Sequence, residues 1–427
     1  MKVAFHTLGC KVNQNDTQGL IKLFQDNGYE IVPFAVGADI YVINTCVVTG
    51  VGERKSRQVI RKAIDYKSGA IVVVTGCYAQ TSPQAVAGIP GVNLVLGMAD
   101  RPRIVDLVRQ FQKEYRQVVQ VKAINATADW VDLPVSEQTE RTRATLKIEE
   151  GCDQFCSYCI VPYARGSVKS MPVQKIMADF SFLLEQGYRE IVLTGIHLGA
   201  FGQDIDCGLN SLIQKLLEIP GNFRIRLGSL EPNDLSEELV ETIANHPKVC
   251  QYLHIPLQSG SDFILKRMNR GYNLNFYRSL LSKIRSLNPL IAIGTDLIVG
   301  FPGETEADFV STSQFVTEQE FSRMHIFRFS PRPGTPAAEF SDQVAKVIQE
   351  KRSQQMQEIA HKASFKFMQK FRDEKVEVLF EEKNDAGWTG LSGEYLRVKC
   401  HTDLDLKNSL QKVSITKVEQ EFLIGVC

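Results

Sequence analysis

Net charge is missing from this chain: 49 lysines and arginines stand against 49 aspartates and glutamates, and the pI is about 7.0. Such balance excludes a protein that coats nucleic acid through bulk basicity and leaves only a local basic patch for that purpose. Also absent are an apolar run long enough to span a bilayer and a charged-then-apolar leader. The expectation is therefore a cytoplasmic protein without membrane association, whose ten cysteines are thiols rather than disulfides. With 44% hydrophobic and 23% charged residues the composition is globular. At about 150 residues per domain, 427 residues predict two to four domains, each able to bury a core.

Chemistry is concentrated in the cysteines. Cys152, Cys156 and Cys159 form a C-x3-C-x2-C run in Gly151-Cys-Asp-Gln-Phe-Cys-Ser-Tyr-Cys-Ile160. No fourth Cys or His follows nearby, which argues against a closed zinc tetrahedron. Three thiolates hold three irons of a [4Fe–4S] cluster and leave the fourth iron open, unlike four-cysteine electron-transfer sites. The run resembles the signature of radical S-adenosylmethionine (SAM) enzymes, in which SAM chelates the open iron and reduction yields a 5′-deoxyadenosyl radical. Tyr158 fits the aromatic which that family places between the second and third cysteines.

The first hundred residues alternate short apolar, β-branched runs (Lys2–Thr7, Asp39–Asn44, Ala70–Thr75) with helix-length segments such as Asp16–Asp26 and Glu53–Tyr66. This pattern predicts a parallel sheet wrapped by helices. Cys10, Cys46 and Cys77 stand at or just past the carboxyl ends of the three strands, where open parallel sheets form a ligand crevice. Taken singly, each reads as a small buried core residue. Three at equivalent strand ends, two closely preceded by glycine, point instead to a second three-cysteine cluster. Cys207, Cys250, Cys400 and Cys427 show no such pattern.

From Thr139 to Glu358, strand-like runs recur at Thr145–Ile148, Glu190–Leu193, Arg224–Leu227, Tyr252–Ile255, Ile291–Ile298 and Met324–Phe329, with helical segments between them. Six βα repeats suit a partial TIM-like barrel with its site at the carboxyl face. Beyond a helical stretch over His361–Phe371, short alternating runs at Val376–Phe380, Gly387–Gly390, Tyr395–Lys399 and Val413–Val418 predict a small β-barrel.

Together the two cysteine trios resemble the radical SAM methylthiotransferase family. So do the stretches Val161–Gly166, Val192–Gly195, Leu227–Pro232, His254–Gly260, Asp296–Glu304 and Phe329–Thr335, and the likeness runs nearly the full length. Within that family the opening His6-Thr-Leu-Gly-Cys-Lys-Val-Asn13 is most similar to the branch acting on threonylcarbamoyladenosine in tRNA. The resemblance implies an α/β chain of three domains. These are a parallel α/β domain over 1–113 with an auxiliary cluster, a (βα)6 radical SAM barrel over 138–368, and an OB-like TRAM domain over 369–427 that binds tRNA. It implies two [4Fe–4S] clusters, held by Cys10, Cys46 and Cys77 and by Cys152, Cys156 and Cys159. SAM is the cofactor, and a flavodoxin- or ferredoxin-type protein donates electrons. One SAM would methylate sulfur associated with the auxiliary cluster, and a second would supply the radical that activates carbon 2 of the adenine beside the anticodon.

Roles inside the core follow by position. Gly195 and Gly300 permit backbone approach to SAM. Ser229 and Glu231 suit ribose hydroxyls. Gln258, Ser259 and Arg165 suit the SAM carboxylate or a substrate group. For each the competing reading is a helix cap or turn. In the barrel, Trp388 and Tyr395 are candidates for stacking on a base and Arg397 and Lys399 for meeting phosphates, with Trp388 as a barrel plug the competing reading. Other substrates in the family are isopentenyladenosine in tRNA and an aspartate of a ribosomal protein. A non-enzymatic reading, an iron–sulfur redox sensor that binds RNA, is separated by SAM cleavage.

Overall fold

The computed structural model describes residues 1–124, 130–136, 142–385 and 387–427, so the expected domain start at 138 lies outside the described residues. Two compact units are formed: Met1–Gln138 with Lys147–Met171 and Ser330–Ala338, and Thr139–Leu146 with Pro172–Phe329 and Glu339–Cys427.

In the first unit, β1 (Lys2–Thr7), β2 (Glu30–Val32), β3 (Ile40–Thr45), β4 (Ile71–Gly76), β5 (Leu94–Leu96) and β6 (Val118–Gln120) make one sheet in the order β2-β1-β3-β4-β5-β6. All its pairings are parallel. Helices α1 (Lys11–Asp26), α2 (Gly50–Tyr66), α3 (Cys77–Thr81), α4 (Pro83–Ala87) and α5 (Ile104–Glu114) make the connections. The central β3 and β4 are buried at every position, which is why Ile-Tyr-Val-Ile-Asn-Thr and Ile-Val-Val-Val-Thr-Gly read as continuous apolar runs rather than alternating ones. Alternate residues face two cores, Tyr41, Ile43, Val72 and Val74 one and Ile40, Val42, Ile71 and Val73 the other.

In the second unit, β7 (Ala144–Lys147) leads the strands of the barrel, and its last residue belongs to the first unit. Next in chain order come β8 (Glu149–Glu150), α6 (Val161–Arg165) and β9 (Lys169–Ser170), all in the first unit. The barrel then continues with β10 (Glu190–Thr194), β11 (Arg224–Leu227), β12 (Tyr252–His254), β13 (Ala292–Val299) and β14 (Arg323–Arg328). They form sheets β11-β10-β7 and β12-β13-β14, joined by the parallel bridges Ile225–Val249 and Ser229–His254. Around them run α7 (Val173–Glu185), α8 (Leu209–Leu217), α9 (Glu237–Asn245), α10 (Asp262–Arg267), α11 (Leu274–Leu287), α12 (Glu306–Glu318) and α13 (Lys346–Gln369). The six strands lie in chain order, the expected open (βα)6 arrangement. Helix α13 begins at Lys346, well before the predicted His361, because its polar first turns carry no apolar stripe that a periodicity search registers.

The chain ends in a closed barrel of β15 (Lys375–Asn384), β16 (Gly387–Ser392), β17 (Arg397–Cys400), β18 (Leu410–Val418) and β19 (Leu423–Val426), ordered β15-β16-β17-β19-β18 and closed by the pairing of β15 with β18. Arg224 and Arg226 on β11 anchor it. Their inner nitrogens grip the buried Glu190, Nε to Oε2 at 2.7 Å and Nε to Oε1 at 2.6 Å. Their outer nitrogens donate to the carbonyls of Glu377, Leu391, Ser392 and Gly393. Burial alone would raise the Glu190 carboxyl, but Arg226 and Arg224 outweigh it and hold it down at about 2.

Glu190→Gln should therefore destabilise the protein by about 3–5 kcal/mol, since two buried guanidiniums lose their counter-charge. Because the folded-state pKa lies below the ordinary 4.5, the stabilisation from Glu190 is complete above that pH and is lost as pH falls toward about 2. Denaturant midpoints measured across that window should converge for wild type and variant at the acid end. Equal midpoints at neutral pH would contradict the anchoring role.

Candidate functional site

Parallel pairing of β1, β3 and β4 sets three strand ends side by side, and a cysteine follows each. Cys10 is the N-cap of α1, Cys46 directly follows β3, and Cys77 opens α3. They grade from exposed through half-buried to buried. Burial pushes the Cys46 thiol up, and it pushes Cys77 up to about 11 against the opposing pull of Arg165. Two glycines make the approach possible. A Cβ on Gly9, at φ +99°, would stand 3.1 Å from Cys46 Sγ, and one on Gly76, at φ +94°, would stand 2.5 Å from the Thr45 backbone.

The C-x3-C-x2-C loop belongs to the same unit. Its base is closed by antiparallel pairing of Glu149 with Ser170 and Glu150 with Lys169. Within it the Cys152 amide donates to Gly166 O and the Cys159 amide to Cys156 O, both at 2.9 Å. Phe155 takes a left-handed conformation, φ +44°, and packs edge-on to Tyr163. Tyr158 is half-buried in this loop. The segment 330–338 braces both trios: the Ala337 amide donates to Ser157 O at 2.8 Å, and Arg332 Nη1 donates to Val47 O at 3.1 Å while pairing with Glu53. A cleft of about 540 Å³ opens beside Val47, Gln80, Ile160, Tyr163 and Arg332, neighbours of Cys46, Cys77 and Cys159 in sequence.

Beneath the trios lies a knot of buried charge. Lys147 Nζ contacts Asp16 Oδ1 at 2.6 Å and Glu150 Oε2 at 2.9 Å. Arg165 Nη1 contacts Asp16 Oδ2 at 2.9 Å and also pairs with Glu150, and Arg101 pairs with Asp16. Arg165 Nη2 donates to Asn13 Oδ1. Burial would raise both carboxyls, but the three cations hold Asp16 well below the carboxylate range and Glu150 down at about 2. Arg165 was expected to meet a SAM carboxylate. Its guanidinium is instead fully buried and committed to Asp16, Glu150 and Asn13, so that expectation is corrected.

In the second unit, Gly195, Ser229, Gln258 and Gly300 stand just past the carboxyl ends of β10, β11, β12 and β13, on one rim. Gln258 is buried, with φ +68°, and its amide donates to Asp296 O at 2.8 Å. Glu231 is half-buried and paired with Arg270. Gly300 needs another account. Its amide donates to Glu304 Oε2 at 2.6 Å and a Cβ would strike Gln349 Cγ at 2.4 Å, so the fold itself uses the space assigned to SAM.

Sequence reasoning missed the polar group of Tyr252, His254, Asp296, Arg323 and His325. Asp296 Oδ1 lies 3.0 Å from both His254 Nε2 and His325 Nδ1. Arg323 Nε donates to His325 Nε2 at 3.1 Å. A guanidinium only donates, so His325 carries its proton on Nδ1 and donates to Asp296. His254 likewise donates from Nε2, its Nδ1 lying 2.9 Å from the Tyr252 hydroxyl. These side chains form a hydrogen-bond chain. No local spacing announces them, because the residues come from three strands.

Of the two aromatics proposed to stack on RNA, Trp388 is corrected. Trp388 is 5% exposed in the β-barrel core and its Nε1 donates to Leu404 O at 2.9 Å, so it offers no face to a base. Tyr395 lies between Arg226 at 4.7 Å and Arg323 at 5.2 Å and against the Tyr252 ring at 4.8 Å. Lys399 lies over Phe422 at 3.7 Å, and Arg397 is exposed.

A partial (βα)6 barrel whose first strand leads into a C-x3-C-x2-C loop defines a radical SAM enzyme. Comparison agrees: residues 146–316 match the Radical SAM superfamily, and residues 2–97 match a family described as Uncharacterized protein family UPF0004. The threonylcarbamoyladenosine tRNA methylthiotransferase MtaB of Bacillus subtilis is 40% identical over 97% of this chain and 94% of its own length. The tRNA-2-methylthio-N(6)-dimethylallyladenosine synthase of Fusobacterium nucleatum is 33% identical over 99% of each. Among solved structures, the radical SAM methyltransferase TsrM of Kitasatospora setae matches with TM-score 0.58 at 14% identity, over 79% of this chain and 77% of that one, a likeness of fold. The chain belongs to the radical SAM tRNA methylthiotransferase family, whose cofactors are SAM and two [4Fe–4S] clusters. Among the described residues, no helix is long and apolar enough to cross a membrane.

Trp388→Ala should cost about 3–5 kcal/mol, the range for a large aromatic removed from a core. Arg397→Ala, at an exposed position, should change stability by less than about 0.5 kcal/mol. Thermal unfolding of both variants checks this, and an unchanged Trp388→Ala midpoint would return that indole to the surface.

Proposed function

We propose that the chain is a cytoplasmic enzyme that converts threonylcarbamoyladenosine beside the tRNA anticodon to its 2-methylthio derivative. One observation carries the reading: Cys10, Cys46 and Cys77 follow three adjacent parallel strands, in the same compact unit as the C-x3-C-x2-C loop. The donor set fits iron–sulfur clusters, since each trio is all thiol and Gly9 leaves open the space beside Cys46. Cys10, Cys46 and Cys77 would hold the auxiliary cluster, and Cys152, Cys156 and Cys159 the cluster that takes SAM. When bound, these groups supply a methylated sulfur and a 5′-deoxyadenosyl radical.

The chain's own residues provide the setting. Gly195, Ser229 and Gln258 line the carboxyl rim where SAM would bind, with Glu231 held beside them by Arg270. The buried Asp16, Glu150 and Arg165 fix the supports of both trios. We assign the domains to 1–113, 138–368 and 369–427, with tRNA meeting the last through Arg397 and Lys399. A flavodoxin- or ferredoxin-type donor supplies the electrons. The choice of threonylcarbamoyladenosine rests on the opening His6–Asn13 and on relatives so named at 33–40% identity, beside dimethylallyladenosine-named relatives at 33–34%.

Anaerobically reconstituted protein should hold about eight irons per chain. Replacing Cys152, Cys156 and Cys159 with Ala should leave about four and abolish SAM cleavage. Replacing Cys10, Cys46 and Cys77 should spare SAM cleavage but eliminate the methylthio product. Iron analysis and nucleoside mass spectrometry read these outcomes, and full product from the second variant would return that trio to the core. Equal turnover of tRNA bearing isopentenyladenosine would refute the substrate, though not the family.

A further inference from the structure

Arg165 ends α6, and α6 packs on α3, whose first residue is Cys77. Ile160 and Ala164 share one apolar cluster with Cys77, so the guanidinium is carried to that cysteine by a packed surface rather than a mobile loop. Its side chain is 0% exposed. Nη1 is held by Asp16 and Glu150, and Nη2 by Asn13, which in turn donates to Leu8 O and Thr45 O beside Cys10 and Cys46. Among the described residues, Nε is a buried donor without a hydrogen-bonding partner. Leaving such a donor unmet costs about 1–3 kcal/mol, and more on a charged group. Counted together, Arg101, Lys147 and Arg165 exceed Asp16 and Glu150 by one positive charge. The guanidinium lies within electrostatic reach of the Cys77 thiol, with Cys10 also in its field.

We propose that Arg165 is a positioning residue for the auxiliary cluster: it donates a charge-assisted N–H···S bond to the Cys77 sulfur and holds the reduction potential of that cluster up. The inference rests on the reading of Cys10, Cys46 and Cys77 as cluster ligands. Adding one electron makes a thiolate-bound cluster more negative, and a fixed cation with an N–H aimed at its sulfur favours the reduced form. Asp16 and Glu150 keep the guanidinium oriented toward the sulfur, because both are themselves held ionised.

The test uses the full chain carrying Cys152→Ala, Cys156→Ala and Cys159→Ala, so that a single cluster remains after anaerobic reconstitution. Its midpoint potential is measured by redox titration followed by electron paramagnetic resonance. Arg165→Gln should lower the potential by about 59 mV or more, a tenfold change in the one-electron equilibrium. Arg165→Lys keeps the charge but loses the planar donor, so a smaller negative shift is expected and the network is spared should the Gln variant not fold. Lys147→Met removes a charge from the same carboxylates but, among the described residues, no contact to a cysteine, and should shift the potential less than Arg165→Gln. An unchanged potential in an Arg165 variant that retains its iron overturns the proposal, as does a Lys147→Met shift matching that of Arg165→Gln. Absence of any cluster in the parent protein would instead overturn the ligand assignment itself.

Discussion

Both cysteine trios depend on one electrostatic knot. Asp16 and Asn13 come from α1, Arg101 from the turn before α5, Lys147 from the end of β7, Glu150 from β8 and Arg165 from the end of α6. Each of the five ionisable side chains is at most 8% exposed, so each is stable only while its partners remain. Removing one member of a buried pair typically costs about 3–5 kcal/mol, a large share of a domain's whole stability. Cys10 precedes Asn13 and Asp16 by less than two turns, and the C-x3-C-x2-C loop is strung between Glu150 and Arg165. A disturbance of the knot therefore moves both sets of cysteines together.

The second unit uses buried charge to set register rather than to frame a site. Glu190 neutralises Arg224 and Arg226, and their remaining donors select four backbone carbonyls on the small barrel. Apolar packing would tolerate sliding, whereas four directed bonds do not. The same seating places Tyr395 between Arg226 and Arg323. Trp388, an aromatic that looks free in the sequence, is used up in filling the barrel.

What the sequence made legible was local or periodic. The C-x3-C-x2-C spacing, the long strands β1, β3 and β4, and the cysteines at their ends all follow from residues near one another in the chain. Three-residue strands such as β2 and β5 carry too little pattern to register and exist because a longer neighbour, β1 or β4, offers them a ladder. The charged knot and the His254–Asp296–His325 chain were illegible for a different reason. Charged residues on a single sequence read as solvated, and only tertiary structure shows that partners from five elements pair with one another. Arg165 is the sharpest instance: a motif neighbour of the radical SAM cysteines that turns toward the other trio.

The two trios reach similar chemistry by opposite routes. In the loop, three thiols are set by eight consecutive positions, and the backbone bonds Cys152 to Gly166 and Cys159 to Cys156 shape it. In the sheet, successive cysteines are separated by about one βαβ unit, ~30 residues. Their proximity is set by strand order. Because β1 neighbours β2 on one side and β3 on the other, the crossovers leaving β1 and β3 diverge and open a crevice between their carboxyl ends. Cys10 and Cys46 flank that crevice, and Gly9 keeps it unfilled. A loop can adjust to a ligand that arrives and departs, while a sheet edge holds three positions rigid. On the proposed assignment, that division suits a cluster that binds and releases SAM in the loop and one whose geometry persists at the sheet.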